Sequence, residues 1–232
     1  MSQPLRLYGL HTSRCTQIAR FTLNEKKVPF QYVRVNVRKG EGKSPEHLAR
    51  HPLGKIPVLE VQEKYYFESI AISRYVDAIS TPSLVPADPV AALAVNQWVS
   101  SFIYNFYPYA YIIKTASQRG ANDTTSVADN IASAKTHLAP ILAAYEKQLA
   151  NGGYLAGSEF SLADIVHMPY LNVLVTAVPE LIQGRVRECL TGLRSVRLGR
   201  RFWSLRRMNR LLDVGYLIQI NTTLRSAVKQ QK

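Results

Sequence analysis

A strand, a helix and a second strand follow one another within the first 40 residues, and this succession constrains the fold most. Residues 5–8 alternate and predict a strand that Gly9 ends, residues 13–26 predict an amphipathic helix, and residues 30–37 alternate again. Two strands joined through a helix run parallel, because only a long crossover returns the chain to the same edge. We therefore expect a βαβ unit at the start of the chain.

The next 40 residues predict a helix, an antiparallel hairpin and a third helix. Ser44 caps a short helix that has Pro45 at its first position. Residues 58–61 and 65–67 predict two strands joined at residues 62–64, and a helix follows from Ser69 to about Ala78. Four residues of this helix are expected to face the core: Ile72, Tyr75, Val76 and Ile79. The order βαβαββα indicates helices packed on a small mixed sheet.

Beyond a proline-rich linker, the pattern becomes helical throughout. Seven apolar residues keep a spacing of three or four: Ile131, Ala134, Leu138, Ile141, Leu142, Tyr145 and Leu149. Ser161 and Asp164 form a capping-box pattern at the start of a later helix. We divide the chain into an α/β domain, a linker, an all-α domain and a basic tail: residues 1–80, 81–88, 89–184 and 185–232.

Composition restricts the compartment and the class of protein. Among 232 residues only Cys15 and Cys189 are cysteines, so a disulfide framework is excluded and a reducing compartment is favoured. Residues 1–4 lack the pattern of a secretory signal, and we expect a cytoplasmic protein. The uncharged stretch 89–113 contains polar residues and two prolines, which favours a buried core helix over a membrane span.

The net charge of +13 suggests nucleic acid as a partner until its distribution is considered. Residues 185–232 carry 12 Lys and Arg against 2 acidic residues, whereas residues 1–184 carry 17 against 14. We expect no nucleic-acid or membrane partner for the body of the chain. Three interpretations of the tail remain open: a misread exon boundary, a divergent and partly helical C-terminus, or an arm that binds nucleic acid or a membrane surface.

Three points along the first 70 residues indicate a pocket for an extended, negatively charged small peptide. Ser13 offers a hydroxyl at a helix N-terminus. Ile56 offers free backbone groups beside Pro57, through a peptide bond that we expect to be cis. Glu68 and Ser69 begin another helix, whose N-terminus attracts a carboxylate.

The chain resembles the cytosolic glutathione transferases over about residues 4–184. Five segments in the family's order carry the resemblance: residues 7–9, 42–46, 54–59, 67–69 and 160–164. A serine at the start of the first helix, followed by Thr16, resembles the phi-type and related fungal serine-type members. The resemblance implies a thioredoxin-like α/β N-terminal domain and an all-α helical bundle, in a homodimer.

The family's glutathione-binding residues match six positions besides Ser13, which would donate a hydrogen bond to the sulfur. Lys43 would lie near the glycine carboxylate, and Lys55 could reach an anionic group. Ile56, held by Pro57, would offer its backbone N–H and C=O to the cysteinyl portion. Glu68 and Ser69 would hold the amine and the carboxylate of the γ-glutamyl end. Two positions depart from phi-type members: Gly42 replaces a histidine and Lys55 a glutamine.

Several of these residues also have structural interpretations. Ser13 could be a simple N-cap, and Thr12 or Thr16 could share its role. Cys15, one turn into the helix, could form a mixed disulfide, although a packed thiol is the more ordinary interpretation. For the electrophile site the resemblance suggests three residues: His11, Tyr107 and Tyr111. The histidines show no metal-ligand spacing, and we expect no metal and no tightly bound cofactor.

The resemblance implies an enzyme that transfers glutathione, as co-substrate, to a small hydrophobic electrophile. A thiol with a pKa of about 8.5 is mostly protonated at neutral pH, and a hydroxyl donor together with a helix N-terminus favours its anion. Two alternatives stay open: a non-catalytic scaffold of the same fold, and a glutathione-dependent peroxidase or secondary-metabolism enzyme.

Overall fold

The computed structural model describes residues 4–119, 125–184 and 186, in two compact units. One unit ends at Pro82 and the other begins at Ser83. The interpretations of the basic tail, residues 185–232, and of Cys189 fall outside the described residues, apart from residue 186.

The first unit contains a four-stranded mixed sheet, as the sequence predicts. Its strands are β1 (Leu5–Gly9), β2 (Phe30–Arg34), β3 (Val58–Val61) and β4 (Lys64–Phe67), in the spatial order β2-β1-β3-β4. β1 pairs parallel with β2, whereas β3 pairs antiparallel with both β1 and β4. The prediction that β2 runs to residue 37 is wrong. Gly9 is the last residue of β1 and pairs with Arg34, and the Val35 N–H makes the final bond to the Gly9 carbonyl at 2.8 Å, so residues 36 and 37 have no strand to pair with.

Three helices accompany the sheet: α1 (Arg14–Glu25), α2 (Pro45–Arg50) and α3 (Ser69–Ala78). The buried apolar cluster combines residues of α1 and α3 with residues of the sheet: Leu7, Ala19, Leu23, Leu59, Ile72 and Val76. The prediction that Tyr75 and Ile79 also face this core is wrong, since they are 38% and 50% exposed. Ser73 occupies the buried face instead, and its hydroxyl accepts a hydrogen bond from Thr22 of α1 at 2.8 Å.

The second unit is helical, as predicted. Its helices are α4 (Pro89–Ser101), α5 (Tyr107–Arg119), α6 (Thr125–Gly152) and α7 (Leu162–Ala177). The predicted spacing along α6 is confirmed, because five of its seven apolar residues are buried and the other two are half-buried. A π-helical turn, Phe102–Phe106, joins α4 to α5.

An aromatic cluster forms the centre of this unit, and a capping box begins α7. The rings of Phe102, Phe106, Tyr145, His167 and Tyr170 contact one another across the helices. The predicted capping box is confirmed: the carboxylate of Asp164 accepts from the Ser161 N–H at 2.9 Å and from the Leu155 N–H at 3.0 Å. Within the described ranges, no helix combines the length and apolarity needed to cross a membrane.

Candidate functional site

The register of the sheet brings three separate segments to one edge. Tyr8 pairs with Val58, and Val58 pairs with Phe67. Because β3 is antiparallel to both neighbours, the ends of β1 and β4 meet the beginning of β3. The segments that follow Gly9, precede Val58 and follow Phe67 therefore lie side by side. These segments carry most of the site residues that the sequence suggests.

Ser13 is the N-cap residue of α1. Its Oγ accepts a hydrogen bond from the Thr16 N–H at 3.3 Å, and the side chain is half-buried. A hydroxyl that accepts one bond keeps its own proton for donation. Thr16 is fully buried and cannot reach a ligand at the surface, whereas Thr12 is exposed. The geometry thus permits the N-cap and the donor interpretations of Ser13 at the same time.

Tyr8 offers a second hydroxyl near this edge, but the hydroxyl is engaged. The side chain is buried, and Oη donates to the Glu60 carboxylate at 2.5 Å. Burial, followed by this contact with Glu60, raises the pKa of Tyr8. A phenol whose proton is bonded to a carboxylate in this way is a poor donor to any further group.

The peptide bond between Ile56 and Pro57 is cis, which confirms the expectation from sequence. Pro57 is buried, and Ile56 is half-buried against Tyr8, Val35 and Val58. Within the described part of the chain, no hydrogen bond engages the backbone N–H or C=O of Ile56. Backbone groups nearly always find a partner, so these two are suited to a peptide-like ligand.

Glu68 and Ser69 present an open helix N-terminus. Glu68, the N-cap residue of α3, has φ = 69° and ψ = 112°, and its side chain does not cap the helix. A residue with a Cβ in this region costs about 1–3 kcal/mol, and such residues concentrate at functional sites. The first amides of α3 point toward the same edge and favour an anion there. Ser69 is largely buried at this position.

Lys43 and Lys55 are exposed on two adjoining segments. The ammonium group of Lys43 donates to the Leu53 carbonyl at 3.4 Å. Gly42 and Gly54 hold the segments together, since a Cβ on either glycine would collide with the carbonyl oxygen of the other. A histidine at position 42 would therefore force these two segments apart.

Two buried histidines that were not predicted as site residues, His47 and His51, bind the same segments. His47 donates from Nε2 to the Lys55 carbonyl at 2.8 Å. His51 accepts the Leu53 N–H on Nδ1 at 3.1 Å, and its ring stacks on Phe67 at 4.5 Å. Their spacing of four residues was a signal for a shared helix face.

The residues suggested for the electrophile site lie in different units. In the first unit, Nδ1 of His11 accepts from Arg20 at 2.8 Å, and burial followed by the nearby arginines lowers its pKa. In the second, the rings of Tyr107 and Tyr111 lie 5.7 Å apart, and Tyr111 is 43% exposed. Cys15 is half-buried in the first turn of α1. The described residues contain no cluster of three or more side chains suited to a metal ion.

Comparisons with known proteins cover both units. Residues 3–78 match the family model of the glutathione S-transferase N-terminal domain, and residues 109–188 match that of the C-terminal domain. "Glutathione S-transferase 3" of Zea mays is 35% identical over 184 residues, which cover 76% of this chain and 80% of the relative. "Glutathione S-transferase F12" of Arabidopsis thaliana is 29% identical and covers 78% and 87%.

The chain is also similar to a solved structure of a glutathione S-transferase. Maize glutathione S-transferase I, in complex with an atrazine glutathione conjugate, aligns with a TM-score of 0.68 at 28% identity and covers 78% of this chain and 86% of that one. These comparisons give no support to the fungal subclass that the sequence analysis named. The chain belongs to the glutathione S-transferase family.

Proposed function

We propose that this chain conjugates glutathione, through its thiolate, to small hydrophobic electrophiles. The arrangement of Ser13 carries the proposal. Its hydroxyl lies at the N-terminus of α1, at the same edge of the sheet as Ile56, which precedes β3, and Glu68, which follows β4. The conjugate-bound maize structure supports a reaction of this type. A transferase of alkyl or aryl groups that acts in detoxification fits this arrangement.

Each part of the tripeptide has a suitable group at this edge. The γ-glutamyl carboxylate would bind at the open N-terminus of α3 with Ser69, and its amine would face Glu68. The N–H and C=O of Ile56 would pair with the cysteinyl portion, as an added strand does. Lys43 and Lys55 are exposed cations for the glycine carboxylate. The ligand would then be fixed at both ends with its sulfur at Ser13.

The chemistry needs a thiolate and an electrophile in line with it. Lowering the pKa of a thiol from about 8.5 by about two units requires roughly 2.7 kcal/mol of preferential stabilisation of the anion. One hydrogen bond to a charged group, about 1.5–3 kcal/mol, together with the N-terminus of α1, supplies this amount. The sulfur then forms a bond to the electrophilic carbon, and the leaving group departs with the displaced electron pair. His11, Tyr107 and Tyr111 remain our candidates for contacts with the electrophile.

An absorbance titration of bound glutathione tests the proposal directly. In the wild type, we expect the ultraviolet band of the thiolate at neutral pH, with turnover of a chloro-aromatic substrate. Ser13→Ala should raise the pKa of the bound thiol and lower kcat about 10- to 100-fold, because one charge-assisted hydrogen bond is lost. Thr12→Ala tests whether the neighbouring exposed hydroxyl shares this role, and Thr136→Ala, which removes an exposed hydroxyl on α6, serves as the control.

A bound thiol that stays protonated at neutral pH in the wild type would remove the mechanism. Retention on immobilised glutathione without turnover, unchanged by Ser13→Ala, would support a scaffold in place of an enzyme.

We also propose that the protein is a cytoplasmic homodimer. Apolar side chains on and just after α4 are exposed: Val90 by 75%, Leu93 by 65% and Tyr104 by 75%. A cleft of about 580 Å³ between α4 and α6 includes Trp98, Tyr104 and Ile141 in its lining. Exposed apolar surface of this kind is typical of an interface. Sedimentation should show a dimer that Leu93→Glu dissociates, and a monomeric wild type would contradict the assignment.

A further inference from the structure

The loop that leads into the cis-proline bond is held at each of its residues from 53 to 55. The Leu53 N–H donates to Nδ1 of His51, and the Leu53 carbonyl accepts from Lys43. The Gly54 N–H donates to the His51 carbonyl at 2.8 Å, and the Lys55 carbonyl accepts from His47. The backbone of the next residue, Ile56, makes no hydrogen bond to the described part of the chain. The loop therefore delivers the free backbone groups of Ile56 from a fixed position.

His47 holds the end of the loop nearest to Ile56. It is 1% exposed, and because a carbonyl oxygen only accepts, Nε2 carries the proton. Its Nδ1 is buried and has no hydrogen-bond partner among the described residues.

His51 holds the other end and connects the loop to β4. It is 2% exposed, and Nδ1 must be unprotonated, because it accepts the Leu53 N–H. Its ring stacks on Phe67, the residue directly before Glu68. One imidazole thus contacts both the loop that carries Ile56 and the last residue of the strand that precedes Glu68.

We propose that His47 and His51 are positioning residues that set the affinity for glutathione by fixing Ile56 relative to Glu68. They touch neither the sulfur nor the electrophile. The proposal rests on the proposed function, because it concerns the same site. It assigns the glutathione affinity of this chain to a pair of buried imidazoles that hold the loop.

The hydrogen bond between His51 and Leu53 makes this affinity sensitive to pH. Protonation of His51 at Nδ1 would break its bond to Leu53 and release the loop. Burial lowers the pKa of His51 below 6.5; Glu68 raises it, and His47 and Lys55 lower it further. Because the folded pKa is depressed, the loop stays fixed above about pH 6.5 and is released as the pH falls through the lowered value. Glutathione affinity should follow the same course.

Two double variants with the same composition test the geometry. The amide nitrogen of Gln reaches the position of Nε2 in His, and the amide oxygen of Asn reaches that of Nδ1. His47→Gln with His51→Asn should therefore keep both hydrogen bonds and lose the pH dependence below 6.5. In His47→Asn with His51→Gln, the side-chain amides are not placed to bond the Lys55 carbonyl or the Leu53 N–H, so both hydrogen bonds should be lost. We expect it to raise KM for glutathione about tenfold, with kcat at saturating glutathione within about twofold.

Hydrogen exchange at the Leu53 amide of the ligand-free protein gives a readout that does not depend on activity. The swapped variant should lose protection there, and the matched variant should keep it. His137→Gln, on an exposed histidine of α6, controls for the loss of a histidine and should change nothing.

The proposal is overturned if the two double variants have the same KM, if kcat falls while KM is unchanged, or if Leu53 stays protected in the swapped variant. A wild type that does not bind glutathione would overturn the proposed function, and with it the assigned affinity. Loss of Leu53 protection in the swapped variant would then still show that the histidines hold the loop.

Discussion

Both units contain paired and unpartnered buried polar groups, but they differ in what lies at the centre of each. In the first unit, buried polar side chains are paired across elements: Lys26 with Asp77 at 2.7 Å, Tyr8 with Glu60, and His47 with the loop at Lys55. In the core of the second unit, Tyr145 Oη and His167 Nε2 are buried with no hydrogen-bond partner among the described residues. Aromatic contacts surround both atoms instead.

This difference suggests a division of tasks. Hydrogen bonds have direction, so the paired groups of the first unit fix backbone segments at the edge that we propose to bind glutathione. Aromatic packing has weaker geometric preferences and stabilises mainly through buried area. Substitutions of these paired groups in the first unit should therefore change binding together with stability, whereas substitutions in the core of the second should act on stability alone.

The largest expected effect comes from breaking the buried ion pair between α1 and α3. Asp77→Ala leaves the ammonium group of Lys26 buried without its carboxylate, which costs about 3–5 kcal/mol of unfolding free energy. Urea denaturation, with hydrogen exchange to localise the loss to α1 and α3, measures it. Combining Lys26→Met with Asp77→Leu removes both charges and should recover most of the loss. A single variant that loses less than about 1 kcal/mol would contradict the comparison.

A smaller effect should appear in the pH dependence of the second unit. Burial raises the pKa of Asp164 to about 6 and lowers that of His167 to about 4. The contribution of Asp164 to the free energy of unfolding is therefore greatest below the pKa that this carboxyl has in the unfolded chain, and it is lost as the pH rises through about 6. The contribution of His167 to the free energy of unfolding is complete above pH 6.5 and is lost as the pH falls toward about 4. Between these pKa values, each group changes the free energy of unfolding by about 1.4 kcal/mol per pH unit, and the two changes have opposite signs.

Replacing either residue should make the pH dependence of stability that the other residue causes measurable by itself. His167→Phe should make α7 less stable as pH rises from 4 to 6, and Asp164→Asn should make it less stable as pH falls over the same range. Hydrogen exchange of α7 amides follows both. Parallel pH curves for the two variants would show that these groups do not control the stability of this unit.

The smallest expected effect separates strain from binding. Glu68→Gly relieves the unfavourable backbone of the N-cap residue and should raise stability by about 1 kcal/mol, while the affinity for glutathione falls about tenfold. Glu63→Gly, at φ = 64° in the hairpin turn, offers the same relief away from the proposed site. It should stabilise the protein and leave affinity unchanged. Calorimetric melting and glutathione titration of both variants provide the comparison.

The sequence predicted those features that depend on local signals. Alternation revealed the strands, and the caps at Ser13, Ser44 and Ser161 located the starts of three helices. The exposure of Tyr75 and Ile79 could not be inferred, because it depends on how closely Ser73 lets α1 approach α3. The roles of His47 and His51 were missed for a similar reason: each is defined by a loop carbonyl or amide that only the folded chain brings near.

The contact between Gly42 and Gly54 has a consequence for how this chain can change. Each position excludes a side chain only while the other segment keeps its place, so neither glycine is replaceable alone. A lineage that acquired a bulky residue at one of them would first have to re-route the opposite stretch of backbone. Directed-evolution libraries that seek new thiol peptides should therefore hold both glycines constant and diversify the lysine that follows each.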